Sequence, residues 1–189
     1  TYLRQHADRI EGCVLTHGHE DHVGALQYLL RDLSFPIFGS AVALGLARNR
    51  IEEAGLLGRT EMVVVRDGER RMIGPFDVEF VPVTHSVPHA HAIALHTPQG
   101  VVLHTGDFKL DLTPVDGRLT DLARVGAMSS GDGIRLLLSD STNADEHGHS
   151  RSERSVGTVL YDLFHEHQDQ RIITTCFASH IHRVQQIAD

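Results

Sequence analysis

Apolar residues recur along the chain with two spacings, and the switches between them predict strands interleaved with helices. Leu3–Ile10 reads as the end of a helix, and Glu11–Thr16, with the run Cys13-Val14-Leu15, as a strand. From Asp21 to Leu33 the apolar positions Val23, Leu26, Leu29, Leu30 and Leu33 keep helical spacing. Pro36–Gly39 predicts a short strand, and Ala41–Leu57 a second helix closed by Gly58. Between Met62 and Asp107, apolar stretches alternate with the turn signals Arg66-Asp67-Gly68, Ile73-Gly74-Pro75 and Thr97-Pro98-Gln99-Gly100. That is the pattern of mostly antiparallel strands. Ile134–Leu138 predicts another buried strand, and Glu153–His165 an amphipathic helix. Arg171–Phe177 reads as a strand leading into a helix from Ile181. The chain is thus of the α/β class.

A chain of 189 residues with 41% hydrophobic content can bury a core, as one domain or one domain plus a fragment. No apolar run approaches the roughly 20 residues of a spanning helix, and no secretory pattern opens the sequence. We therefore expect a soluble cytoplasmic protein without a membrane partner. Cys13 and Cys176 are too few for a disulfide framework. The formal charge of −8 argues against a uniformly basic nucleic-acid binder, although bound divalent ions would offset part of it. A phosphate-backbone partner would need local cations. Lys109 and Arg183 are the candidates, the alternative being ordinary solvated surface charges.

The chemistry is concentrated in His17-Gly18-His19-Glu20-Asp21-His22, directly after an apolar run. Residues leaving a strand edge and turning into a helix can aim alternate side chains at two neighbouring points. His17 and His19 could serve one metal, Asp21 and His22 a second. Imidazole nitrogen suits zinc or a similar ion, and a carboxylate can bridge a pair. Two ions about 3.5–4 Å apart can activate a water and polarise a phosphoryl or carbonyl oxygen. A metallohydrolase is the implied class, against the alternative of a histidine-rich surface turn. Two further candidates stand at strand ends: His85 in Val83-Thr84-His85-Ser86, and Asp107 in Thr105-Gly106-Asp107-Phe108-Lys109. Taken alone, Asp107 could be a simple turn aspartate.

These motifs together resemble the signature of the metallo-β-lactamase superfamily. The segments His104-Thr105-Gly106-Asp107-Phe108-Lys109-Leu110-Asp111 and Leu138-Ser139-Asp140-Ser141-Thr142-Asn143-Ala144 narrow the likeness to the bacterial ribonuclease J family of β-CASP nucleases. Thr175-Cys176-Phe177-Ala178-Ser179-His180-Ile181-His182-Arg183-Val184-Gln185-Gln186 is similar to a stretch of that family's inserted domain. The resemblance runs nearly continuously from His17 to Asp189. It departs at His89, where the family carries an acidic residue, and at His180, where it carries Asn. Neither position is among the six expected ligands. His89 and His91 otherwise read as exposed loop histidines, and His147, His149, His165 and His167 as solvated.

The resemblance implies an αβ/βα sandwich over residues 1–150 and the beginning of an inserted β-CASP domain over 151–189. His17, His19 and His85 would hold one divalent ion, Asp21 and His22 the other, with Asp107 bridging. Zinc is the implied metal, with manganese as the alternative. Asp21 would also act catalytically by orienting the attacking water and taking its proton. Asp140 would hydrogen-bond beside the ligands, unless it only caps the backbone at Asn143. Ser179, His180 and Arg183 would line an RNA path, Ser179 having the alternative of a helix N-cap. The implied activity is metal-dependent hydrolysis of RNA, 5′ to 3′ exonucleolytic and in some members endonucleolytic, in a protein that forms homo-oligomers. The family has further strands before these motifs and a final histidine ligand after them. The sequence therefore reads as an internal fragment, expected to be weakly active or inactive alone. Two other functions fit parts of the pattern: hydrolysis of a small thioester or lactam, and non-catalytic binding of metal or RNA.

Overall fold

The computed structural model describes residues 2–189. Two sheets lie at its centre. The first is parallel, with strands β1 (Cys13–Val14), β2 (Ile37–Gly39) and β3 (Met62–Val64) in that order. The second has the order β4 (Arg70–Ile73), β5 (Phe76–Val83), β6 (Ala90–Thr97), β7 (Gly100–His104) and β8 (Ile134–Leu138). Strands β4 to β7 are antiparallel neighbours, and β8 joins β7 in parallel.

Side-chain alternation along β5 explains how the layers stack. Val78 and Phe80 face Phe38 of the first sheet and Val65 just beyond it, together with Ile73 and Ile93. Val81 and Val83 point to the opposite face and pack with Ala92, Ala94, Val101 and Leu103. Helix α1 (Tyr2–Gln5) is short, and α2 (Glu20–Val23), α3 (Leu26–Asp32) and α4 (Ala41–Glu53) follow it. Leu26, Leu30, Ala43, Leu44, Ala47 and Ile51 from the last two cover Leu15 and Ile37 on the outer face of the first sheet. Helix α5 (Leu122–Ser130) presses Met128 and Val125 onto the second sheet. Helix, sheet, sheet and helix give the αβ/βα sandwich. Helices α6 (Glu153–Glu166) and α7 (Ile181–Ala188) pack on each other.

Several local expectations shift. The predicted helix from Asp21 to Leu33 is broken at Gly24-Ala25 into α2 and α3. Helix α4 stops at Ala54, with Gly55 at φ +71°, so Gly55 and not Gly58 ends it. The strand expected over Glu11–Thr16 is confined to Cys13–Val14, and that expected over Arg171–Phe177 is absent. Strand β8 forms where expected but is not buried: Leu136, Leu137 and Leu138 are 46–54% exposed. The sequence expectations did not include helix α5.

Candidate metal centre

Three loops bring the expected ligands together at one end of the sheets. The first leaves β1 and reaches α2 through His17-Gly18-His19. Gly18 sits against α4 so closely that a Cβ there would lie 2.6 Å from Leu46 Cδ1 and 3.2 Å from Ala43 Cα. The small residue lets the loop fold down beside α4 between its two histidines. The second loop joins β5 to β6 and carries His85. The third follows β7, where Gly106 at φ +60° turns the chain into Asp107. A Cβ at Gly106 would meet Thr16 Cβ at 2.8 Å, so glycine is required both for conformation and for room.

His17, His19, His85 and Asp107 each present one ligand atom, and all four atoms lie within 4.8 Å of one another. His85 Nε2 is 3.0 Å from His19 Nδ1. Asp107 Oδ2 is 3.7 Å from His17 Nε2 and 3.8 Å from His85 Nε2. For comparison, a tetrahedral ion with bonds of about 2.0–2.1 Å separates its ligand atoms by roughly 3.3 Å. His17 is fully buried, its Nδ1 is 3.0 Å from Thr16 Oγ1, and its Nε2 has no hydrogen-bond partner. A buried imidazole nitrogen without a partner is costly unless something else binds it. This donor set therefore suits a divalent metal ion.

His22 extends the cluster, with Nε2 3.4 Å from the same Asp107 oxygen and 3.6 Å from Asp21 Oδ2. Asp107 thus faces His17, His85 and His22 alike, and the His22 ring also lies 4.0 Å from that of His17. Asp21 itself is largely exposed. Burial, reinforced by the neighbouring imidazoles of His22, His85 and His19, lowers the His17 pKa to about 2. Burial and then His19 lower that of His85 to about 4, and burial lowers that of His19. All three are thus neutral near pH 7, the form that binds metal.

Asp140 follows β8 beside this cluster. Its Oδ1 accepts from the Thr142 amide at 2.9 Å and hydroxyl at 2.6 Å, and its Oδ2 from the Phe108 amide at 3.5 Å. The hydrogen bonds from Thr142 hold its pKa below the usual carboxylate range. The backbone it caps is thus that of Thr142 and Phe108, the latter directly after Asp107.

Ser179, His180 and Arg183 lie at the start of α7. The N-cap of α7 is His180, not Ser179, and it makes no side-chain cap. Arg183 donates to Glu153 Oε2 at 2.7 Å, His180 Nε2 lies 3.6 Å from the same oxygen, and Lys109 Nζ is 3.7 Å from Glu153 Oε1. Both candidate phosphate-binding cations are therefore paired with one carboxylate. Sequence reading missed Glu153, and it misplaced His91, which is 1% exposed and bonded to Asp67 rather than free in a loop.

Residues 1–166 match the family model described as the metallo-beta-lactamase superfamily, and the chain belongs to that superfamily. Solved structures agree on the fold. A protein of unknown function from Enterococcus faecalis superposes over 93% of this chain and 44% of its own, with a TM-score of 0.68 at 18% identity. A diphosphatase of the PhnP family does so over 85% of this chain and 61% of its own, at a TM-score of 0.52 and 17% identity.

Within the superfamily, the curated relatives are ribonuclease J proteins. That of Synechocystis sp. is 45% identical over 186 residues, covering 97% of this chain and 29% of the relative. That of Mycobacterium tuberculosis is 45% identical across the whole chain and 33% of the relative, and that of Thermus thermophilus 40% identical over 98% and 33%. The chain thus spans about a third of the length of these relatives or less. Among the described residues, no helix is long and apolar enough to cross a membrane.

Proposed function

We propose that the chain carries the catalytic centre of a metal-dependent ribonuclease. The observation that carries this reading is the convergence of His17, His19, His85 and Asp107, in a chain whose relatives are ribonuclease J proteins. In the same reading, residues 1–150 form the metallo-β-lactamase domain and 151–189 begin an inserted β-CASP domain. The protein is cytoplasmic, forms homo-oligomers and processes or degrades RNA from the 5′ end, with endonucleolytic cleavage as a second mode.

His17, His19 and His85 would hold one divalent ion as neutral imidazoles, and Asp21 and His22 would hold a second, with Asp107 available to either. Zinc fits this nitrogen-rich set, with manganese as the alternative. When bound, such a pair lowers the pKa of water from 15.7 toward about 7 and polarises a phosphoryl oxygen. Asp21, exposed at the mouth of the cluster, orients the attacking water and accepts its proton. Asp140 fixes the Phe108 amide and so the backbone that presents Asp107. Ser179 offers a hydroxyl, and His180 and Arg183 offer N–H donors, to the RNA phosphates. Arg183 must share or exchange Glu153 when it does so.

The test is cleavage of a 5′-monophosphorylated RNA by the purified protein, with and without chelator. Loss of cleavage on chelation and on Asp21→Asn, with the fold intact, is the expected result. Metal binding together with hydrolysis of a thioester or lactam, and no RNA cleavage, would overturn it.

A further inference from the structure

Outside the cluster, a partly buried polar network ties the ligand-bearing loops to one another, and its centre is Arg118. That guanidinium, 13% exposed, spends its donors in two directions. Nε and Nη2 donate to the two carboxylate oxygens of Asp67, each at 2.7 Å. Nη1 donates to the Val83 carbonyl at 2.8 Å and Nη2 to the Ala90 carbonyl at 2.9 Å. Val83 ends β5 and Ala90 begins β6, so the two carbonyls bracket the loop that carries His85. Val83 and Ala90 are already paired in register across β5 and β6, and the guanidinium clamps that pair at the base of the loop.

The adjoining groups reach the other two loops. His91 Nε2 lies 2.8 Å from Asp67 Oδ1, while its backbone amide donates to the Thr16 carbonyl at 2.7 Å, immediately before His17. The Thr84 hydroxyl donates to the Arg118 carbonyl at 2.9 Å. The Thr84 amide donates to Thr120 Oγ1 at 2.9 Å, and that hydroxyl donates to the Lys109 carbonyl at 3.1 Å, two residues beyond Asp107. The loops of His17, His85 and Asp107 thus hang on one frame made of residues that are not ligands.

We propose that Arg118, held by the Asp67 carboxylate that His91 also bonds, is a positioning residue for the metal centre. The inference rests on the reading of that centre as a metal site, and concerns what gives it its shape. Lysine cannot replace arginine here, because an ammonium lacks the planar fork that spans a carboxylate and two carbonyls. Partners that orient ligands without touching metal typically affect affinity by about 10- to 100-fold.

The experiment is titration of the metal-stripped protein with Zn2+ against a competing chelator, with circular dichroism confirming the fold at the same temperature. Wild type, Arg118→Lys, Arg118→Ala and Asp67→Asn are compared. We expect Zn2+ affinity to fall about 10- to 100-fold for Arg118→Ala and less for Arg118→Lys. Asp67→Asn, which keeps the guanidinium but weakens its anchor, should lose a few-fold. If Arg118→Ala does not fold, the other two variants decide. Folded variants that melt earlier but bind Zn2+ as tightly as wild type would overturn the inference while leaving the metal site standing. A folded wild type that binds no Zn2+ would overturn both, which separates the two failures.

Discussion

Among the described residues, every buried side chain lies between Leu15 and Met128, whereas α6 and α7 bury none of theirs. The two regions hold functional groups by different means. His17, His19, His85 and Asp107 project from loops anchored in close-packed sheets, so the core sets their mutual distances. Ser179, His180 and Arg183 stand on a helix secured by polar contacts, above all those of Glu153 with Arg183 and of the Glu153 carbonyl with Gln186. The proposed metal centre thus sits on the close-packed half. The proposed RNA path lies where a few polar bonds can exchange.

The largest break in this contrast comes from the inter-sheet core. Phe80→Ala, at a fully buried site, should lower stability by about 3–5 kcal/mol in urea denaturation. Zinc should act in the opposite sense: at a free concentration a hundredfold above Kd it adds about 2.7 kcal/mol, seen as a raised melting temperature that chelator reverses. Gly106→Ala forces an alanine into a left-handed conformation against Thr16, with an expected loss of about 1–3 kcal/mol and weaker metal binding by titration.

Asp67 gives a smaller, pH-dependent effect. The Arg118 hydrogen bonds lower its pKa to about 2, against about 3.9 in an unfolded chain. A depressed value in the folded state means stability present above about pH 4 and lost as the pH falls toward 2. The carboxylate is 41% exposed, so solvent screens the pair and the effect should stay below about 1 kcal/mol. Asp67→Asn should flatten that limb of the urea midpoint plotted from pH 6 to 2. The smallest effect belongs to the other region: Val159→Ala on α6, 55% exposed, should change stability by no more than about 0.5 kcal/mol.

The parts of this structure that sequence announced are those written in short local patterns. The spacing of His17, His19, Asp21 and His22 after an apolar run marked a strand-to-helix loop, and the structure gathers these residues with His85 and Asp107. The mixed helix and sheet order was legible from apolar rhythm. That rhythm reports apolarity and not cover, which is why Leu136 to Leu138 read as buried while their faces are open. His91 was misread because its neighbours Pro88 and His89 look like loop, whereas its register against Pro82 places it inside the sheet. Arg118 and Asp67 are 51 residues apart, and no local pattern can join them. Glu153 was hidden likewise, since its partners Lys109 and Arg183 come from distant segments.

If His17, His19, His85 and Asp107 form a metal site, metal should travel with the protein through purification. Elemental analysis of the purified protein beside His85→Ala and Asp107→Ala, each checked for fold by circular dichroism, tests it most directly. Tightly held metal is expected in the parent protein, and substoichiometric or no metal in both variants. Equal metal content in all three, or none in a folded parent offered zinc and manganese, would contradict it.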